Sequence, residues 1–135
     1  GITAMQRYDP DGILAALWSP ELAPRVVAQG CPVVDVYAWI DEVRVPRVGI
    51  AEEAVGRAAA EHLLERGLRA YAFIGGRVRF AQERLAGFQH ALAPEGFTVH
   101  ALEDVFEDLV LRDSWISPHD RVAQFLAALP RPLGV

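Results

Sequence analysis

The residues best placed to do chemistry lie between Gly75 and Arg84. Gly75-Gly76-Arg77-Val78-Arg79-Phe80 follows an apolar run and leads into an amphipathic segment carrying Arg84. Arginines around a helix start are electrostatically misplaced, because a cation there costs roughly 0.3–1 kcal/mol. They are therefore not there to stabilise the helix. A guanidinium fork aimed at a cleft can grip hydroxyls, carboxylates or phosphates through paired hydrogen bonds. Arg84 precedes Leu85, a residue of the expected core stripe, so it sits at the stripe's edge and can face a cleft. Arg77 and Arg79 read more simply as solvated loop residues, with Arg79 kept as a second candidate. Gly75-Gly76 fits neither G-x-G-x-x-G nor G-x-x-x-x-G-K-[ST], so no nucleotide fingerprint is present. The pair reads instead as a turn that leaves room for a ligand.

Aromatic residues near strand ends are the other candidates, since their rings can stack on sugars. Trp18, Tyr37 and Trp39 qualify by position, although packing at a sheet edge or loop accounts for each more simply. Trp115, just before a helix start, reads as a hydrophobic staple. Catalytic patterns are lacking. Ser19, Ser114 and Ser117 lie outside any G-x-S-x-G elbow. His62, His90, His100 and His119 fall on different elements, and Glu61, His62 and Glu65 have no second ligand pair in view. Neither a metal nor a cofactor is expected, and the chain reads as no enzyme. The acids Glu103, Asp104, Glu107 and Asp108 read as a solvated face.

Along the chain, short apolar runs alternate with longer amphipathic ones. Strands are expected over 12–17, 33–36, 70–74, 97–102 and 133–135, with a short extended piece at 48–50. Helices are expected over 21–29, 52–66, 80–93 and 119–129. Ser19-Pro20 and Ser117-Pro118 read as an N-cap followed by proline at the first helical position. Gly30 and Gly67 read as C-terminal caps. In the helix from Glu52, Val55, Ala58, Ala59 and Leu63 form the expected apolar stripe; in the helix from Phe80, it is Ala81, Leu85, Phe88 and Leu92. The stretch 103–115 reads as an irregular acidic loop. Alternation of this kind implies an α/β fold with parallel, doubly wound sheets. Ligands in such sheets bind beyond the carboxyl ends of the strands. The chain begins close to a strand and stops inside one, so a piece of a larger domain is expected.

Composition narrows the class. Hydrophobic residues make up 52% of the chain, enough for a sizeable core. The net charge is −5, and every basic residue is arginine. An acidic chain has no general electrostatic footprint for nucleic acid, so any contact with DNA would come from residues outside it. Cys31 is the single cysteine. It reads as a semi-buried thiol, and the lack of an internal disulfide fits a reducing compartment. No apolar run approaches the ~20 residues of a membrane span. No leader is visible, and a soluble, cytoplasmic protein is expected.

Several segments, in order, resemble the sugar-sensing domain of LacI-type transcriptional regulators, and more closely the xylose-regulator branch fused to an AraC-type DNA-binding domain. They are Asp11-Gly12-Ile13-Leu14, Cys31-Pro32-Val33-Val34-Asp35-Val36, Ala59-Ala60-Glu61-His62-Leu63-Leu64-Glu65-Arg66-Gly67, Tyr71-Ala72-Phe73-Ile74-Gly75 and Glu83-Arg84-Leu85-Ala86-Gly87-Phe88. The ending Leu129-Pro130-Arg131-Pro132-Leu133-Gly134-Val135 is similar too. The resemblance implies a periplasmic-binding-protein-like fold of two lobes with a sugar, such as a pentose, between them. It places residues 1–67 in the later part of the N-terminal lobe and 68–135 in the first part of the C-terminal lobe. Arg84 matches the family's ligand-contacting arginine, and Trp18, Tyr37 and Arg79 join it as expected contacts. The resemblance also implies a homodimer, DNA bound through a domain missing from this chain, and no membrane partner. One departure is Ala51 after Gly49-Ile50, where the family usually has aspartate; Glu52 can serve as the acidic first-turn residue. A periplasmic sugar-binding protein of a transporter, and a fragment of a doubly wound enzyme, are the alternatives.

Overall fold

A computed structural model describes residues 6–17, 19–38, 40, 42–105 and 116–135. The chain forms two compact units, Gly1–Ile50 and Ala51–Val135. In the first, strand β1 (Ile13–Ala15), helix α1 (Leu22–Val27) and strand β2 (Val33–Asp35) follow a short 3-10 turn. In the second, helix α2 (Glu52–Glu65), strand β3 (Ala70–Ile74), helix α3 (Arg79–Leu92), strand β4 (Val99–Leu102), helix α4 (Ile116–Ala127) and strand β5 (Leu133–Gly134) follow in order. All strand pairs are parallel, so the class is the α/β one expected. No described helix is long and apolar enough to cross a membrane.

The first unit is a β-α-β hand with a small core. Ile13 and Val33 are register partners on β1 and β2 and pack with Leu17, Ala23 and Val26. Alternation along a strand sends Leu14 to the other face, where it is 76% exposed. The run from Gly12 is therefore not buried on both faces as expected from its unbroken apolarity. The Ser19 hydroxyl accepts the Leu22 N–H at 3.2 Å, but α1 starts later than the serine-proline signal implied. The helix ends earlier than expected, with Ala28 as its C-cap, and Gly30 takes a left-handed φ of +83° in the turn beyond it. Past β2, the Asp35 N–H donates to Pro46 O and the Val48 N–H to Asp35 O, both at 2.9 Å. The extended piece expected at Val48–Ile50 thus docks on β2 slightly earlier, as an isolated bridge at Arg47.

The second unit is built on a sheet of order β4-β3-β5. From β3 the chain goes to β4 on one side and then crosses to β5 on the other. Strand order reverses at β3, and in open α/β sheets a crevice forms beyond the carboxyl ends at such a reversal. Tyr71, Ala60, Phe88 and Leu92 form the core beneath β3. The Tyr71 hydroxyl is satisfied by Leu68 O at 2.7 Å, and its ring meets Phe97 at 4.9 Å between centroids. Ala81, Leu85, Phe88 and Leu92 are all buried, as their spacing predicted. Burying a side chain such as Phe88 or Leu92 contributes about 1.5–3 kcal/mol.

Helix α2 departs from expectation. Its fully buried positions are Gly56 and Ala60, whereas Ala58 and Ala59 are exposed and Val55 is 40% exposed. The reason is the packing of α2 on α3 through small residues. A Cβ on Gly56 would lie 1.9 Å from Arg84 O, and one on Gly87 would lie 2.0 Å from Glu53 O. Each glycine receives the backbone of the opposite helix. Because α2 packs on α3, the compact units divide at Ile50, ahead of the division after Gly67 used for the lobe assignment. At the far end, α4 begins at Ile116, so position 117 lies in its first turn. Proline at 118 is tolerated there because first-turn N–H groups have no helical partner. Of the stretch expected to be an acidic loop, residues 106–115 lie outside the described ones, as does Trp115; Glu103 and Asp104 are irregular and Val105 is buried.

The glycine contacts set a test of sign. In an unobstructed helix interior, glycine-to-alanine gains about 1 kcal/mol of helix propensity. Here Gly56→Ala and Gly87→Ala should instead destabilise by about 1–3 kcal/mol or more through overpacking. Gly12→Ala, whose Cβ would meet its nearest neighbour at an ordinary 3.5 Å, should be near neutral. Urea unfolding of the three variants measures this.

Candidate functional site

Helices α2 and α3 lead into and out of β3, so their first turns lie at its carboxyl end. The Gly56 and Gly87 contacts bring these turns together. One turn before Gly56 stands Glu52, and one turn before Phe88 stands Arg84. Arg84 Nε donates to Glu52 Oε2 at 2.5 Å, with the arginine side chain 36% exposed and the glutamate 13%. The Arg84 guanidinium carbon also lies 5.2 Å from the centroid of the Phe80 ring, one helical turn earlier. A cation over an aromatic face at this distance is attracted by the ring quadrupole. Nε is the part of the group bonded to a described residue. The two Nη groups, the prongs of the fork, make no hydrogen bond among the described residues.

The turn between β3 and α3 is held from several sides. The Gly75 N–H donates to Leu102 O at 2.9 Å, extending the ladder with β4, and Gly75 O accepts the Val105 N–H at 3.1 Å. A Cβ at 75 would meet the Phe73 ring at 2.4 Å, so any side chain there requires that ring to shift. Neither Gly75 nor Gly76 has a positive φ, so a left-handed turn does not explain the pair. Gln82 Nε2 donates to Gly76 O at 3.2 Å and to Glu103 Oε2 at 2.8 Å. An open groove of about 360 Å³ runs along β3, lined by Val55, Ala59 and Leu63 of α2, Phe73 of β3, and Arg84 and Phe88 of α3. The exposed stripe of α2 thus borders the groove.

In the first unit the carboxyl end of β2 is organised by Asp35, which is fully buried. Its Oδ1 accepts the N–H groups of Leu17 at 3.2 Å and Tyr37 at 3.0 Å, and its Oδ2 accepts that of Ala38 at 3.1 Å. Arg47 lies with Nε 4.0 Å from Oδ2 and donates through Nη2 to the carbonyls of Ile40 and Val43. Hydrogen bonds to the ionised form are what make a buried carboxylate tolerable. Tyr37 is held by its backbone while its residue stays 50% exposed.

Arg79 and Arg84 therefore share α3, Tyr37 belongs to the first unit, and Trp18 lies outside the described residues. Arg79 is the first residue of α3, with a 46% exposed side chain 3.8 Å from Glu83, one turn on. That pair is a surface i,i+4 contact of the kind contributing about 0.3–0.5 kcal/mol, and it gives Arg79 a role in its own helix that sequence reasoning denied. Residues that reasoning missed are Glu52, Phe80 and Asp35. Glu52 was legible only as a favourable acid in a first turn, Phe80 as a helix residue. Aspartate at the end of an apolar strand, with its tendency to bond backbone N–H groups ahead of it, was the available signal for Asp35.

No family model matches the chain, and no curated protein matches its sequence. Solved structures do. The fold is the periplasmic-binding-protein-like one of LacI-type regulator domains and sugar-binding proteins. The chain is similar to the xylose-binding transcription activator xylR, at a TM-score of 0.71 and 23% identity over 92% of this chain and 34% of that one. It is similar to the Cra transcriptional dual regulator from Pseudomonas putida, solved with fructose 1-phosphate, at a TM-score of 0.61 and 20% identity over 97% of this chain and 49% of that one. It is also similar to GanP, a glucose-galactose binding protein from Geobacillus stearothermophilus, at a TM-score of 0.61 and 21% identity over 93% and 46%. The chain spans between a third and a half of the length of these proteins.

Beside the β3 turn, Asp104 accepts from Arg121 Nη2 at 2.6 Å, tying the end of β4 to α4. That hydrogen bond is the main cause holding the Asp104 carboxyl below its usual value; desolvation works against it, and the charges of Arg121 and Arg77 add to it. A depressed carboxylate stabilises the fold above its unfolded pKa, and this is lost as pH falls through the folded one. Arg121→Ala should raise the Asp104 pKa toward the ordinary value, read by carboxyl NMR titration. Its stability deficit against wild type should be present at neutral pH, start to shrink as pH falls through the ordinary aspartate value of about 3.9, and vanish only below the depressed folded value.

Proposed function

We propose that this chain is part of the sugar-sensing domain of a transcriptional regulator of the xylose-regulator type. The observation carrying this reading is the Arg84 fork at the carboxyl end of β3, where strand order reverses. Its Nε edge is occupied and its Nη donors are not bonded to described residues. Two donors in one plane match two vicinal oxygens, the pattern of a sugar diol or of an acid. The similarity in fold to the xylose-binding activator and to the Cra regulator supports a regulator. In this reading the first compact unit is part of one lobe and the second is part of the other, with α2 belonging to the second. Tyr37, exposed at the end of β2, supplies a stacking face, and Arg79 is a peripheral contact. Sugar binding shifts the population of a DNA-competent state, to the extent that the two states differ in affinity for it. DNA is bound by a separate domain of a dimeric protein, and no reaction is catalysed.

The similarity to a glucose-galactose binding protein supports a second reading, sugar capture for transport, on the same site chemistry. Sugar-dependent retention of operator DNA by the full-length protein separates the two, since a transport protein retains none. The site itself is tested by Arg84→Ala in the full-length protein. With D-xylose, D-glucose, D-galactose and fructose 1-phosphate as titrants, the tightest wild-type ligand should lose at least about tenfold in affinity, the scale of one charge-assisted hydrogen bond. Circular dichroism should be unchanged. Undiminished calorimetric affinity would remove Arg84 from the site.

A further inference from the structure

We propose that Glu52 is a positioning residue for ligand binding, holding the Nε edge of Arg84 so that its two Nη groups face outward as a ready-made fork. The proposal rests on the sugar-site reading of Arg84 and adds a residue to it. Three contacts converge on this one residue, two on its side chain and one on its backbone. Glu52 Oε2 takes Nε at 2.5 Å, the Phe80 ring stands 5.2 Å from the guanidinium carbon, and the Arg84 carbonyl sits in the space left by the missing side chain of Gly56. The last contact fixes the backbone, the first two the head group. An arginine of 36% exposure would otherwise spread over many rotamers, and ordering a rotamer-rich side chain on binding costs about 0.5–1.5 kcal/mol.

The geometry also says which edge is used. A guanidinium offers an Nε–Nη edge and an Nη–Nη edge. With Nε committed to Glu52, a ligand is left with the Nη pair, so its two oxygens must approach end-on. Glu52 is itself well placed for the task. It is 13% exposed, stands in the first turn of α2, and is favoured there as an anion by the helix dipole. The opposite possibility is that Glu52 competes with the ligand for Arg84. It makes the opposite prediction about the sign of the mutational effect.

The experiment is a double-mutant cycle in the full-length protein, using whichever of the four sugars named above binds wild type most tightly. Glu52→Ala should weaken binding about tenfold, with its thermal midpoint close to wild type, and Glu52→Gln, which keeps an acceptor but loses the charge, should fall between. In an Arg84→Ala background, Glu52→Ala should cause no further loss, because its effect passes through Arg84. The Arg84 Nε–H NMR signal should be protected from exchange in wild type and lose that protection in Glu52→Ala. Unchanged or tighter binding by Glu52→Ala overturns the proposal, as does an equal further loss in the Arg84→Ala background. If Arg84→Ala alone leaves affinity unchanged, or none of the sugars binds, the sugar-site reading fails first and the positioning role falls with it.

Discussion

Two glycines facing opposite backbones set the geometry of the second unit. Gly56 receives the carbonyl of Arg84, and Gly87 receives that of Glu53, so at these two points no side chain separates α2 from α3. Backbone-to-backbone packing this close tolerates no added methyl group, because protein interiors are already at crystal-like density. Everything else follows at one-turn intervals. Glu52 stands four residues before Gly56 and reaches the guanidinium of Arg84, whose carbonyl Gly56 accommodates. Further down the same helices, Ala60 packs with Phe88 and Leu92 over Tyr71. The apolar contacts hold the pair of helices to the sheet, and the glycines decide how near they come.

The first unit solves a related problem differently. Its strands are short and its core is small, with Val43 and Val45 of the loop after β2 packed against that core only partly buried. A buried carboxylate takes over. Asp35 gathers three backbone N–H groups, from Leu17, Tyr37 and Ala38, while Arg47 bonds the carbonyls of Ile40 and Val43. Removing one partner from such a network leaves a buried polar group uncompensated, which is strongly destabilising. The network presents Tyr37 from a fixed backbone, so a loop can offer an aromatic face without a regular element behind it.

Both ends follow one rule of parallel sheets. Strands run the same way, so their carboxyl ends gather on one side, together with the first turns of the helices that follow. Irregular backbone there has no ladder to satisfy it, and polar side chains do so instead: Gln82 on Gly76 O, Asp35 on the turn after β2. The arginines found there in place of lysines carry a planar, pre-organised fork, which a point charge on a flexible stem cannot replace.

The sequence by itself determined the element order, the parallel α/β class and the inward face of α3, because a glycine, a proline or an apolar period marks each of these locally. It also singled out Arg84, through the electrostatic oddity of a cation near a helix start and through resemblance. The buried face of α2 was not legible, since hydrophobic periodicity counts side chains and the deciding residue there has none. Glu52 was equally hidden, as an acid in a first turn is sufficiently explained by the helix dipole. Its bond to a residue on another helix exists only once Gly56 and Gly87 have set the spacing. Residue types and local pattern fix what each segment becomes, whereas the partner of a given charge depends on how closely two backbones approach, and only the tertiary structure decides that.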